Sequence, residues 1–147
     1  MATWKLDPGH SSADFSARHM MITTVRGGFR NVTGTIEYDA ANPAASSVEV
    51  TINTAEMTST GLADRDNHLK SPDFLDVENF PIITFKSTSV KPLGETEAEV
   101  TGDLTIRGVT RPVTIKAELI GYAKTPWGTD NVGFTGTTKI NREDFGL

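Results

Sequence analysis

Apolar and polar residues alternate one by one through much of this chain. The alternation is strict over residues 48–52, and longer alternating runs occur over residues 98–106 and 113–119. Because successive side chains of a β-strand point to opposite faces, each run is typical of a strand with one buried face. The same pattern predicts strands at residues 3–6, 12–18, 32–38, 83–85 and 132–140, which makes about eight strands in all.

Turn-forming residues separate these runs. Arg107-Gly108 predicts a tight hairpin turn between two strands, because glycine adopts positive φ without steric cost. Pro112 cannot donate to a sheet ladder, so it predicts a strand start, an edge position or a bulge. Residues 125–128 predict a loop.

One segment has helical rather than strand character. Over residues 59–70, Leu62 and Leu69 stand at i and i+7 among charged residues, which indicates a helix. The Ser-Pro-Asp sequence that follows predicts a second helix start, with a turn of helix that carries Phe74 and Leu75.

These elements favour an all-β fold, an extended antiparallel β-barrel with a short helical insert. Strands in up-and-down succession have edges to hide, and closure into a barrel hides them most completely. About eight strands enclose an interior that is filled by side chains or holds one small ligand. Small residues on the inward faces favour a lumen, up to about 30 Å long, over a filled core. These small residues are Ala13, Ala17, Gly34, Ala98, Gly102, Ala117 and Gly136.

Charge and composition exclude several classes of function. With a net charge of -5 and no cluster of Lys or Arg in its sequence, the chain is a poor candidate for binding nucleic acid or anionic membranes by charge. The absence of cysteine excludes disulfides, thiolate metal sites and thiol nucleophiles. We expect one domain over residues 1–147 and no stable membrane insertion. No signal peptide opens the sequence, so we expect a cytoplasmic protein as written and a periplasmic one if this is a processed form.

Several segments together resemble the YceI-like family of polyisoprenoid-binding proteins. The longest is Asp-Arg-Asp-Asn-His-Leu-Lys-Ser-Pro-Asp-Phe-Leu-Asp-Val-Glu-Asn-Phe-Pro over residues 64–81. Residues 4–7, 102–110 and 140–147 are also similar to the family, so the resemblance spans nearly the whole chain. It implies a lipocalin-like barrel whose hydrophobic pore binds a long-chain isoprenoid, such as an isoprenoid quinone, or a fatty lipid. It further implies lipid transport or sequestration without catalysis, and for many members a periplasmic location.

The chain differs from the family at its C-terminal end. In the family the stretch at residues 140–147 is normally followed by a loop and at least one closing strand, which this sequence lacks. Either the sequence is truncated at this end or its barrel is open along one side. An open edge pairs readily with another strand, so a homodimer formed by strand pairing or exchange is one expectation.

The expected ligand wall combines inward strand positions with the helical insert. Met20 and Met21 are expected at its entrance, because methionine adapts to irregular ligand shapes. Each of these side chains has an alternative role as ordinary core. The expected ligand-binding residues are Phe15, Ala17, Arg18, His19, Met20, Met21, Phe29, Ile36, Leu62, His68, Leu69, Phe74, Phe80, Phe85, Leu104, Ile106, Ile115 and Phe134.

A polar headgroup needs a partner at the mouth of the barrel. Arg18, His19, Asp64, Arg65 and His68 are the candidates, since an arginine binds phosphate or carboxylate through two parallel hydrogen bonds. The alternative is a structural network in which Arg18 and the acidic residues pair and fix the insert.

Two other functions stay open at this point. Asp64 and His68 stand at i,i+4 and share a helix face, as an acid–base pair acting on a small apolar substrate would. The same pair is a two-ligand start for a metal site, although we expect no metal and no other cofactor. The second alternative is a stress-related interaction module with a filled core, in which Gly27 and Gly28 contribute to a contact surface.

Overall fold

A computed structural model describes residues 2–6, 11–19, 23–39, 41–58, 61, 63–72, 74–94, 96–124, 130–140 and 142–145. It contains strands, one short α-helix and three 3₁₀ turns. The strands and the helix are β1 (Ala2–Lys5), β2 (Ser12–His19), β3 (Thr23–Arg30), β4 (Thr33–Tyr38), β5 (Ser47–Asn53), α1 (Ala63–Lys70), β6 (Ile82–Pro92), β7 (Glu97–Ile106), β8 (Val109–Lys124) and β9 (Asp130–Thr137). The 3₁₀ turns are Pro43–Ala45, Thr54–Glu56 and Arg142–Phe145.

Seven of the strands form one antiparallel sheet in the order β1-β4-β5-β6-β7-β8-β9, and β2 and β3 form a separate hairpin. The hairpin joins the sheet where Phe29 forms a bridge with Met57 and the amide of Thr58 donates to the carbonyl of Gly28 at 2.6 Å. The sheet curls into a half-barrel. The curling brings Tyr38 of β4 into contact with Phe134 of β9, although the two strands are far apart in the sheet order. The predicted all-β, barrel-type fold is confirmed.

The sequence-based strand pattern missed β3. Its sequence, Thr-Thr-Val-Arg-Gly-Gly-Phe-Arg, has no regular alternation of apolar and polar residues. The strand forms because every residue from Thr23 to Arg30 pairs with β2, so tertiary pairing overrides a weak local signal. The predicted contact surface at Gly27 and Gly28 is therefore part of a paired strand.

The predicted helical turn at Phe74 and Leu75 is wrong, because these residues form hydrogen-bonded turns instead. The amide of Phe74 donates to the carbonyl of Ser71, and that of Leu75 reaches back to the carbonyl of Leu69, each at 2.9 Å. Asp76 then adopts a φ of 49°, a left-handed conformation that a continuing helix does not allow. The first predicted helix is confirmed as α1, at Ala63–Lys70.

The predicted hairpin turn at Arg107-Gly108 is confirmed. Both residues have positive φ, 52° and 73°, as a two-residue turn of type I′ requires. The ring of Phe80 lies against this turn, since a Cβ on Gly108 would stand 2.8 Å from its Cε1. The pairing of β8 with β9 begins at Lys116, so Pro112 lies in a part of β8 that has no β9 partner. The predicted edge position of Pro112 is confirmed.

A compact hydrophobic core fills one end of the half-barrel. Phe29, Ile83, Ile106 and Phe145 are buried and pack together there. Residues packed against this cluster come from the hairpin, the sheet and the turns after α1; they are Phe15, Ile52, Met57, Leu75, Leu104, Val109 and Val113. We call this region the filled end. The interior is therefore not hollow along its full length.

Two inward glycines accommodate bulky neighbours rather than leaving a void. A Cβ on Gly102 would lie 2.7 Å from Cζ of Phe85, and one on Gly136 would lie 2.8 Å from Cγ2 of Ile115. These two glycines, which helped to predict a lumen, thus have a second role, because they allow large side chains of adjacent strands to approach the backbone closely.

Replacing Gly102 with alanine is expected to destabilise the protein by about 1–3 kcal/mol, since the new methyl overpacks against Phe85 and the backbone of β6. Urea unfolding measures the change. Gly94→Ala is the matched control, because nothing lies within 4 Å of the corresponding Cβ. Equal free energies of unfolding for the two variants would contradict this packing.

Candidate functional site

The inward side of the curled sheet is a continuous apolar surface, which we call the inner face. Strand register places Val50 beside Phe85 and Phe85 beside Leu104. Further along, Val100 pairs with Ile115. Most of the inner face is half-buried rather than fully buried, as expected for a wall that lines an interior. Its other half-buried members include Ile36, Val48, Ala98, Ala117, Leu119 and Phe134.

The opposite side of the same strands is polar. Glu49 of β5 pairs with Lys86 of β6, and Lys86 pairs with Asp103 of β7. Threonine hydroxyls also pair across this outer side, with Thr105 and Thr110 joined at 2.7 Å. Cross-strand pairs of opposite charge and of hydroxyls stabilise a solvated sheet surface. The two sides therefore differ sharply, and only the inner face suits an apolar ligand.

Tyr38 and Phe134 close the interior from its two margins. Their ring centroids lie 6.0 Å apart with an interplanar angle of 70°, an edge-to-face contact that aromatic rings favour. Trp4 of β1 pairs with Ile36 beside Tyr38, so three strands bring large side chains to this region.

The filled end is held by the 3₁₀ turn at Arg142–Phe145. Phe145 is 1% exposed and inserts into the core. Arg111 of β8 pairs with Leu104, which places it at an inward register position, and its Nε donates to the carbonyl oxygen of Asp144 at 3.2 Å. This bond lies at the exposed edge of β8 and joins it to the turn that carries the buried Phe145.

Residues 74–81, which follow α1 and form the end of the segment that resembles the YceI-like family, cover the outside of the same end. Thr54 is 1% exposed, and its hydroxyl donates to the carbonyls of Pro81 and Phe80 at 3.0 and 3.3 Å. The buried carboxylate of Asp76 accepts two contacts from the side-chain amide of Asn79, at 3.1 and 3.0 Å. The segment that carried the family resemblance is thus a structural cap.

The structure divides the predicted ligand-binding residues into three groups. Phe15, Phe29, Leu104 and Ile106 belong to the filled end. The inner face carries Ile36, Phe85, Ile115 and Phe134, and the cap and α1 carry His68, Leu69, Phe74 and Phe80. Met20, Met21 and Leu62 lie outside the described residues, as do the side chains of Ala17, Arg18 and His19.

Sequence reasoning missed three residues that shape this interior. Phe145 closes the filled end, Tyr38 forms the aromatic contact, and Val100 is buried at the centre of the inner face. Tyr38 and Val100 belong to alternating runs, so their period-two phase was a usable signal. No local signal marks Phe145, whose burial depends on contacts that are distant in sequence.

Two cavities lie near the site; the first has a mainly polar lining, and the second has a mixed lining of polar and apolar side chains. One of about 440 Å³ lies at the β2–β3 hairpin and includes Asp14, Ser16 and Arg26 in its lining. The other, of about 360 Å³, lies between β8 and the last 3₁₀ turn and includes Arg111 and Lys139. Neither lining has the apolar character of the inner face.

Helix α1 presents Asp64 and His68 to solvent. The ring of His68 contacts that of Phe74 edge-on, with centroids 4.8 Å apart. Within the described part of the chain, no three metal-ligating side chains come together. The helices described there are also too short or too polar to cross a bilayer.

The fold and the inner face together define a YceI-like barrel. Residues 4–147 match the YceI-like domain, so the chain belongs to this family. Among curated relatives, a UPF0312 protein of Pseudomonas syringae pv. tomato is 46% identical over 138 residues, 94% of this chain and 71% of the relative. A UPF0312 protein of Pseudomonas putida is 43% identical over 148 residues, 99% of this chain and 77% of the relative.

Solved structures show the same architecture. The YceI protein of Campylobacter jejuni superposes with a TM-score of 0.76 at 33% identity, covering 99% of this chain and 84% of that one. BcnA of Burkholderia cenocepacia superposes with a TM-score of 0.79 at 26% identity, covering 92% of this chain and 80% of that one. The predicted family resemblance is confirmed.

Phe145→Ala is expected to lower the free energy of unfolding by about 3–5 kcal/mol, because it opens a cavity in the filled end. Thermal and urea unfolding measure the loss. Ile140→Ala is the matched control, since Ile140 is 42% exposed, and it should cost less than about 1 kcal/mol. A similar loss in both variants would contradict the role given to Phe145.

His68→Ala is expected to lower stability by about 0.5–1.5 kcal/mol, since it removes the edge-on contact with Phe74. The affinity for an isoprenoid hydrocarbon without a polar headgroup should stay unchanged. Unfolding and equilibrium lipid binding measure the two quantities. A variant of unchanged stability that had lost turnover of a small apolar substrate would instead support an acid–base role for Asp64 and His68.

Proposed function

We propose that this protein binds a long-chain isoprenoid or a similar amphiphilic lipid along its inner face and carries or sequesters it without chemical change. The observation that carries the proposal is the apolar, half-buried inner face between the filled end and the Tyr38–Phe134 contact. Membership of the YceI-like family supports it.

The inner face has the chemistry that binding of an apolar chain requires. Each buried CH₂ contributes about 0.8 kcal/mol, so a long tail binds firmly without a polar anchor. The surface above the filled end extends along β8 from Ile115 to Leu119, five residues that span about 13 Å of strand. The bound part of the tail is therefore shorter than a fully hollow barrel would accept.

A transport role fits these side chains better than catalysis does. The inner-face residues named above are aliphatic or aromatic, apart from Arg111, whose Nε donates to the carbonyl of Asp144. Acid–base chemistry needs a titratable group within hydrogen-bonding reach of the substrate, and Asp64 and His68 lie on the exposed surface of α1.

The proposal extends to the lipid headgroup, the cellular location of the protein and its oligomeric state. Arg18, His19, Asp64, Arg65 and His68 are the candidates for headgroup contact, and a quinone, a polyprenyl phosphate or a fatty amide are the candidate cargoes. We propose a periplasmic location for a processed form and a homodimer formed through an open sheet edge.

The direct test is mass spectrometry of an organic extract of the purified protein, with a stoichiometric isoprenoid as the expected result. Binding of a long-chain isoprenoid quinone, followed by tryptophan quenching, supplies the affinity. Ala117→Phe should weaken this affinity at least about tenfold, because the new ring occupies the inner face where the small side chains of Ala98 and Ala117 stand side by side.

Lys116→Phe is the matched control for this variant. Lys116 is the preceding residue of β8 and points to the exposed outer side, so its substitution should leave quinone affinity unchanged. Repeated absence of extracted lipid, together with equal affinity in the two variants, would favour a filled interaction module over a lipid carrier.

A further inference from the structure

The end of the sheet opposite the filled end carries exposed aliphatic side chains. Leu93, just after β6, is 46% exposed, and Ile120 in β8 is 65% exposed. The amide of Leu93 donates to the carbonyl of Glu97 at 2.9 Å, and that of Leu119 donates to the carbonyl of Thr96 at 2.7 Å. These two bonds bring the β6–β7 connection and Ile120 together at one end, which we call the open rim.

The open rim is continuous with the inner face. The β8–β9 register shifts between Leu119 and Gly121, so Ile120 is the extra residue of a β-bulge, a device that redirects side chains. Its neighbour Leu119 is half-buried and pairs with Phe134. The apolar wall of the interior and the exposed side chain at the rim therefore belong to two consecutive residues, Leu119 and Ile120.

We propose that the open rim docks on the surface of a lipid bilayer, so that cargo passes between the membrane and the inner face without crossing water. This inference rests on the proposed function, because it concerns how the lipid reaches the inner face. Leu93 and Ile120 insert at the boundary between headgroups and acyl chains, and the transfer of their apolar side chains out of water stabilises the docked state.

The charges near the rim favour a zwitterionic bilayer as the occupant. Lys91, Glu97 and Glu118 are exposed near this end, so the described residues of the rim carry charges of both signs and form no basic cluster to attract anionic lipid. The two exposed side chains are also aliphatic, whereas the energetically dominant residues of protein–protein interfaces are most often tryptophan, tyrosine and arginine.

The experiment uses phosphatidylcholine vesicles that contain a long-chain isoprenoid quinone. Transfer to the protein should speed up in proportion to vesicle concentration, as expected for a step at the membrane. The double variant Leu93→Asp with Ile120→Asp should transfer quinone at least about tenfold more slowly and lose flotation with empty vesicles, because two charged groups resist insertion. It should bind quinone added from ethanol with unchanged affinity.

Ile82→Asp is the matched control. Ile82 begins β6 at the filled end and is 49% exposed, so its substitution adds the same charge to a similarly exposed site away from the rim. Circular dichroism and thermal unfolding verify that each variant folds. The control should keep both vesicle flotation and the transfer rate.

Three results would overturn the docking proposal. They are equal transfer by the double variant and the wild-type protein, a transfer rate independent of vesicle concentration, and wild-type protein that does not float with vesicles. The last result would leave a protein acceptor as the occupant of the rim. If quinone added from ethanol does not bind while rim-dependent flotation persists, the proposed function fails and the docking surface stands.

Discussion

The curled sheet gains most of its close packing at one end rather than along its whole length, and this constraint governs the rest of the structure. Close-packed interiors supply most of the free energy that offsets chain entropy. Here the packing is concentrated in the cluster of Phe29, Ile83, Ile106 and Phe145. One end of the half-barrel is therefore close-packed, whereas most side chains on the rest of the inner face are half-buried.

Much of the fold was readable from the sequence, because period-two alternation depends only on strand geometry. It located strands in the seven-stranded sheet and, through Arg107-Gly108, one hairpin turn. It failed for β3, where pairing with β2 rather than local pattern makes the strand. It also failed at Phe74 and Leu75, where the left-handed Asp76 ends helical geometry.

The candidate site was predictable as a face but not as a set of residues. Alternation gives the phase of each strand, so Ile36, Phe85 and Ile115 were placed on the inward side. Alternation does not tell which inward residues pack together at one end. Phe145 and Ile83, for example, belong to the same cluster although more than sixty residues separate them in the sequence. Glycines were also ambiguous, since Gly102 accommodates the ring of Phe85.

The placement of Pro112 has a consequence for solubility. In a two-residue hairpin the closing pair is hydrogen-bonded and the pairs then alternate, so Ile106–Val109 is bonded and Asp103–Pro112 is not. The backbone nitrogen of Pro112 therefore faces away from β7, toward the stretch that β9 leaves unpaired. Because proline has no amide hydrogen, it interrupts the row of hydrogen-bond donors at this edge. A strand from another molecule therefore cannot pair continuously with β8 here, which disfavours amyloid-like growth.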